Sequence, residues 1–166
     1  MREPLTRTLG LADEDATDRL GQQLASALGD RPAGWLMLLE GELGAGKSTL
    51  ARAMLRAWGH TGAVPSPTYT LVEPYQLTRY CVYHFDLYRL GDAEELEFMG
   101  VRDYFAGDAI CLIEWPERGK GVLPPADLVI TIGREGSGRL LSLRAASRRG
   151  MALLQQLREG ERPGDL

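Results

Sequence analysis

Hydrophobic spacing changes period several times along this chain of 166 residues. Thr6 to Leu11 suits a short first strand. Ala16, Leu20, Leu24 and Leu28 then recur every four residues, which is one face of a helix, with Asp13 as its cap and Gly29 as its stop. Trp35 to Leu39 is an unbroken apolar run between Gly34 and Gly41, the pattern of a strand buried on both faces. A glycine-rich loop follows. Lys47 to Trp58, with apolar Leu50, Met54, Ala57 and Trp58, then predicts a helix ending before Gly59.

After Pro65-Ser66-Pro67 the pattern turns to strand. Tyr69 to Gln76 and Tyr80 to Leu87 are rich in Tyr, Val, Phe and Thr, and predict a hairpin that turns near Thr78-Arg79. Pro74 pushes its first strand towards a sheet edge. Ala93 to Phe98 predicts a short helix, and Ala109 to Ile113 a second buried strand that ends on Glu114. Asp127 to Ile132 and Leu140 to Ala145 flank the flexible run 133–138 and predict another hairpin. Ser147 caps a last predicted helix that contains Met151, Leu154 and Leu157. Residues 1–158 are expected to form one domain and 159–166 a frayed tail.

Composition narrows the class. Hydrophobic residues make up 44% and charged residues 25%, so the chain can build a core and is not disordered as a whole. No apolar run approaches the ~20 residues of a membrane span, and Met1 to Gly10 carries no apolar block of a secretory signal. Net charge is −4. A protein whose main task is gripping nucleic acid usually carries a positive excess; here only residues 134–166 are mildly basic. Cys81 and Cys111 lie in apolar runs as small buried hydrophobes, and they form no paired framework. A cytoplasmic compartment follows as the expectation. His60 and His84 lack neighbours at zinc-ligand spacing.

The chemistry is concentrated in residues 41–48, Gly-Glu-Leu-Gly-Ala-Gly-Lys-Ser. This is the P-loop pattern, preceded by a strand and followed by a helix. Glycines at 41, 44 and 46 let backbone N–H groups turn inward to phosphate oxygens, and the helix adds the positive end of its dipole. Gly41, Glu42, Leu43, Gly44, Ala45, Gly46, Lys47, Ser48 and Thr49 are therefore the expected nucleotide-binding stretch. Lys47 supplies a charge for the β- and γ-phosphates, and Ser48 a hydroxyl for Mg²⁺. The chain contains no asparagine and hence no Asn-Lys-x-Asp guanine motif, so ATP is the expected nucleotide.

A P-loop also needs an acid at a neighbouring strand end to hold Mg²⁺. Glu114 stands at such an end; the alternative is an acid facing solvent. Asp86 is the second candidate, for Mg²⁺ or for the attacking water, against a simple cap of the following turn. Thr68 and Ser66 are candidates for the γ-phosphate, against a Pro-rich lead into a strand. Trp115 is either an edge of the core or a residue beside the site. The arginines nearest the motifs, Arg52, Arg56 and Arg89, offer no clear arginine finger in cis.

Taken together, Gly41 to Thr49, Ser66-Pro67-Thr68-Tyr69-Thr70, Tyr83 to Leu90, Glu94 to Gly100 and Ile113-Glu114-Trp115-Pro116-Glu117 resemble the TsaE family, the YjeE-type ATPases, over about residues 11 to 132. The resemblance implies a three-layer α/β P-loop NTPase fold with a mixed central sheet. It implies a cytoplasmic ATPase that acts with TsaD and TsaB in making threonylcarbamoyladenosine (t6A) on tRNA, and that resets or regulates that complex. It implies tRNA contact mainly through the complex and no membrane role. By position, Lys47, Asp86 and Glu114 would be catalytic, Ser48, Asp86 and Glu114 would hold Mg²⁺, and Thr68 and Trp115 would border the nucleotide. Ser48 stands where the family often has Thr, with the hydroxyl retained. Two other readings start from the same P-loop: a small-molecule or nucleotide kinase, and an adaptor that binds ATP without hydrolysing it. Against the kinase, the chain is short for a lid and its arginines are scattered.

Overall fold

A computed structural model describes residues 5–29, 34–78 and 81–160. Seven strands form one mixed sheet: β1 (Thr6–Leu11), β2 (Leu36–Glu40), β3 (Val72–Gln76), β4 (Cys81–Asp86), β5 (Ile110–Glu114), β6 (Leu128–Glu135) and β7 (Gly138–Ala145). Their spatial order is β1-β7-β6-β2-β5-β4-β3. Strands β6, β2, β5 and β4 run parallel through the centre, and β1, β7 and β3 are antiparallel to their neighbours.

The helices are α1 (Glu14–Ala27), α2 (Lys47–Ala57), α3 (Glu94–Phe98), α4 (Val101–Ala106) and α5 (Arg148–Gly160). Two cores result, one on each sheet face. Met37, Leu39, Val82, Leu112 and Ile130 pack with Leu20 and Leu24 of α1, Leu50 and Met54 of α2, and Leu153 and Leu154 of α5. On the other face Leu36, Phe85, Cys111, Ile113 and Val129 pack with Leu96 of α3 and Val101 of α4. This alternation within β2, β4 and β5 is what a strand buried on both faces requires. The result is the three-layer α/β fold with a mixed sheet that the family resemblance implies.

Capping matches the sequence at both ends of the chain. Asp13 accepts a hydrogen bond from the Ala16 N–H (2.9 Å), and Ser147 Oγ accepts one from the Gly150 N–H (3.0 Å). Pro74 lies on β3, at the sheet edge, where its missing N–H costs no ladder bond.

Several expectations are corrected. The strand expected from Tyr69 begins only at Val72. Residues 67–70 form a turn closed by the Leu71 N–H donating to Pro67 O, with Leu71 at φ 69°. Helix α4 and a short 3-10 helix at Pro116–Gly119 were not expected, because each is too short to show a period. Strands β6 and β7 extend to Glu135 and from Gly138, so the run 133–138 is mostly strand, with a tight turn at Gly136-Ser137. On α5, Gly150, Leu153 and Leu154 are buried and Leu157 packs against the core, while Met151 is exposed. Cys111 is buried as expected but Cys81 only partly. Helix α5 reaches Gly160. Arg79, at the expected hairpin turn, and residues 161–166 lie outside the described residues.

Candidate functional site: a phosphate cradle at the carboxyl ends of the parallel strands

The loop between β2 and α2 takes its shape from glycine. Gly41 has φ +152°, and a Cβ there would lie 2.5 Å from the Ile132 carbonyl oxygen of β6. Gly46, at φ +114°, is the residue before α2; no side chain caps that helix, and its first turn carries no acid. The first N–H groups of α2 therefore face the loop without a side-chain partner, the arrangement that receives an anion.

Lys47 opens α2 and is 4% exposed. Its ammonium donates to the main-chain carbonyls of Gly41 and of Glu42 (2.9 Å) and lies 4.2 Å from the centre of the Trp115 ring. Burial lowers its pKa, against the opposing pull of Glu114, Asp86 and Glu117. Ser48 Oγ donates to Glu114 at 3.2 Å and 3.3 Å from its two oxygens.

Parallel pairing of β4 with β5 sets Asp86 directly beside Glu114. Both carboxylates are buried, at 5% and 2% exposure. Asp86 Oδ2 accepts from Thr68 Oγ1 (2.9 Å), which shares a hydrogen bond with Ser66 Oγ (2.7 Å). Asp86 Oδ1 accepts from the Tyr88 N–H (2.9 Å). The two readings of Asp86 thus meet in one side chain: it caps the turn and also faces the cleft. Trp115 has a left-handed backbone (φ 56°) and packs on Tyr88 with ring centres 5.0 Å apart.

These groups border one cleft of about 420 Å³, whose walls include Leu43 to Thr49, Ser66, Thr68, Asp86, Glu114 and Trp115. The structure thus brings together all the expected site residues except Gly41 and Glu42, which lie outside the lining and meet Lys47 through their carbonyls. Leu43, at the loop tip, is mostly exposed.

Sequence reasoning missed two parts of the cleft. The first is the β6–β7 hairpin, whose Ile132, Ser137, Gly138, Arg139 and Leu141 form the wall opposite the acids together with Leu11, Asp13, Glu14 and Thr17 around the start of α1. Arg139 Nε donates to Ala45 O (2.8 Å), so an arginine does reach the loop, from a strand 92 positions further along the chain than Lys47. Arg56 instead donates to His60 O and Gly62 O, and Arg89 stacks on Tyr69. The second is His84, buried beneath the cleft with Nε2 2.5 Å from Glu114 Oε2. Its one sequence signal was its place two residues before Asp86, on the same face of a strand. Among the described residues no group of three or more His, Cys, Asp and Glu is placed to hold a metal ion by itself. No helix among them is long and apolar enough to cross a membrane.

Comparison with known proteins identifies the family. The family described as "Threonylcarbamoyl adenosine biosynthesis protein TsaE" matches residues 11–141. The tRNA threonylcarbamoyladenosine biosynthesis protein TsaE of Haemophilus influenzae is 54% identical over 119 residues, which cover 72% of this chain and 75% of that protein. The protein of the same name from Synechocystis is 44% identical over 65% of this chain and 69% of its own length. The crystal structure of YdiB from Bacillus subtilis superposes with a TM-score of 0.79 at 27% identity, covering 96% of this chain and 98% of that one. The matched span runs from the end of β1 into β7 and so contains the loop, both acids and all the named residues of the facing wall. This chain belongs to the TsaE family.

Proposed function

We propose that this protein binds ATP with Mg²⁺ in the cleft, hydrolyses it slowly by itself, and through that cycle regulates or resets the TsaD–TsaB complex in t6A modification of tRNA. One observation carries the reading: an uncapped helix N-terminus, a buried lysine, a helix-borne hydroxyl and two strand-end carboxylates converge on one cleft. The relatives' names, which are those of t6A biosynthesis proteins, supply the pathway.

The residues fit the nucleotide. Loop N–H groups and Lys47 receive phosphate oxygens, and Lys47 already sits in place on the Gly41 and Glu42 carbonyls. Mg²⁺ prefers six oxygens and keeps several waters. Ser48, Glu114 and Asp86 supply a hydroxyl and carboxylates on one side and leave the rest to phosphate and water, so no closed protein cage is needed. Bound Mg²⁺ would neutralise charge on the phosphates. Asp86, held by Thr68 and the Tyr88 N–H, would serve the cation or accept a hydrogen bond from the attacking water. Arg139 lies on the wall away from these acids, and Arg56 and Arg89 are engaged elsewhere. A missing arginine finger can cost 10³–10⁵ in rate, which is the physical basis for a slow enzyme completed by its partners.

The test is ATP turnover by the purified chain with and without TsaD–TsaB and tRNA. Slow phosphate release alone and faster single-turnover hydrolysis with the partners are expected. Partner-independent turnover above ~10 s⁻¹, the median of complete enzymes, sinks the gating. Transfer of phosphate to a small molecule supports a kinase instead, and binding without any hydrolysis supports the adaptor.

A further inference from the structure

We propose that His84 is a positioning residue of this site: its ring holds the Glu114 carboxylate in the orientation used by Ser48 and the cation. The part concerning the cation rests on the function proposed above.

His84 is 1% exposed, and Glu114 2%. Two polar groups at that depth are costly unless they satisfy each other. Nε2 of His84 is 2.5 Å from Glu114 Oε2, whereas Nδ1 is buried without a hydrogen-bond partner among the described residues. That asymmetry assigns the tautomer. A proton on Nδ1 would be a buried donor with nothing to receive it, so the ring proton belongs on Nε2 and is donated to Glu114. The register explains why the two meet. Asp86 pairs with Glu114 and His84 with Leu112, and side chains two residues apart share a face, so His84, Asp86 and Glu114 all stand on the α2 side of the sheet.

Glu114 is therefore gripped from two sides. His84 fixes one oxygen from below. Ser48 donates from above at 3.2–3.3 Å, a longer contact from a hydroxyl that can rotate. A hydroxyl that gives its proton to Glu114 turns its lone pairs towards the cleft, where a cation would sit. Without His84 the carboxylate keeps only that longer contact and is free to turn about its own side-chain bonds. Partners that orient a metal-site carboxylate are worth about 10–100-fold in affinity or activity.

Three substitutions separate this role from packing. His84→Phe keeps the ring volume and loses the donor. His84→Gln puts an amide N–H near the position of Nε2, and His84→Asn puts one near Nδ1. Each is measured by thermal unfolding and by calorimetric ADP affinity in excess Mg²⁺ and in EDTA. In parallel, long-range ¹H–¹⁵N NMR of the nucleotide-free wild type reads the tautomer. The expected results are an Nε2–H tautomer whose proton signal moves in Glu114→Gln, and wild-type ADP affinity of folded His84→Phe in EDTA. The Mg²⁺-dependent gain in that variant should fall about 10–100-fold, and Gln should recover more of it than Asn. An Nδ1–H tautomer overturns the proposal. So does a folded His84→Phe with the full Mg²⁺-dependent gain, or equal behaviour of Gln and Asn. If His84→Phe fails to fold, the Gln–Asn comparison decides. If the wild type gains no affinity from Mg²⁺, the Mg²⁺–nucleotide reading fails, while the His84–Glu114 bond still stands or falls on the NMR result.

Discussion

Lys47 shows how much one side chain can depend on its surroundings. Its ammonium is buried, feels the carboxylates of Glu114, Asp86 and Glu117, and rests on backbone carbonyls and an indole ring. Removing it takes away one charge-assisted phosphate contact, worth roughly 1.5–3 kcal/mol. Lys47→Ala should therefore lose about tenfold or more in ATP affinity while keeping its fold, because the loop's shape is set by glycines. Calorimetry showing wild-type affinity in this variant would remove the phosphate cradle. Glu114→Gln and Asp86→Asn should behave differently. An interaction that strengthens as charge develops costs rate rather than binding. Both variants should lose far more in hydrolysis rate than in ATP affinity. If one of them turns over at the wild-type rate in saturating Mg²⁺, that acid is structural.

At the scale of elements, helix α5 is fastened to the sheet by one carboxylate. Asp127 accepts from the Leu36 N–H (2.9 Å), from Ser147 Oγ (2.8 Å) and from Arg149 through both Nε and Nη2 (2.9 Å each). Burial pushes the Asp127 carboxyl up, but those donors outweigh it and hold its pKa below the ordinary value. With the folded value below the unfolded one of about 3.9, the contribution is complete above that pH and fades as pH falls through the folded pKa. Asp127→Asn should cost about 2–4 kcal/mol at pH 7. Its urea midpoint should also fall less steeply than the wild type's on acidification below pH 4. Equal slopes would show that Asp127 is not the group linking α5 to pH. Close approach restricts the same region: a Cβ on Gly150 would lie 1.9 Å from the Asp127 carbonyl oxygen, and one on Gly21 would lie 2.5 Å from Ala53 Cβ, where α1 crosses α2. Gly21→Ala should force these helices apart at about 1–3 kcal/mol, a thermal midpoint roughly 2–12 °C lower for a chain of this size.

The whole molecule carries a net charge of −4, and its basic residues are most concentrated towards the C-terminal end. Phosphate contacts supply most of the affinity for nucleic acid, so the lone chain should bind tRNA no more tightly than ~10⁻⁶ M at physiological salt. Titration by fluorescence anisotropy at two salt concentrations tests this. Tight, salt-resistant binding by the isolated protein would mean that it meets tRNA directly and not through TsaD–TsaB.

Much of this protein was legible in one dimension, because some physics is local. The P-loop, its flanking strand and helix, the Asp13 and Ser147 caps, and the placement of Glu114 at a strand end all follow from residues within a few positions of each other. Pro74 announced an edge for the same reason. What lay beyond the sequence is contact between distant segments. No period links His84 to Glu114 or Arg139 to Ala45; the parallel register of β4 on β5 and the return of the β6–β7 hairpin bring them together. The turn at 67–70 defeats its strand-like composition because Thr68 is drawn to Asp86, whose N–H also donates to the Leu71 carbonyl. The sequence by itself determined which groups stand in the glycine-rich loop and at the strand ends. Tertiary structure decided which buried partners aim them, since a hydrogen bond needs two groups within about 3 Å whatever their separation along the chain.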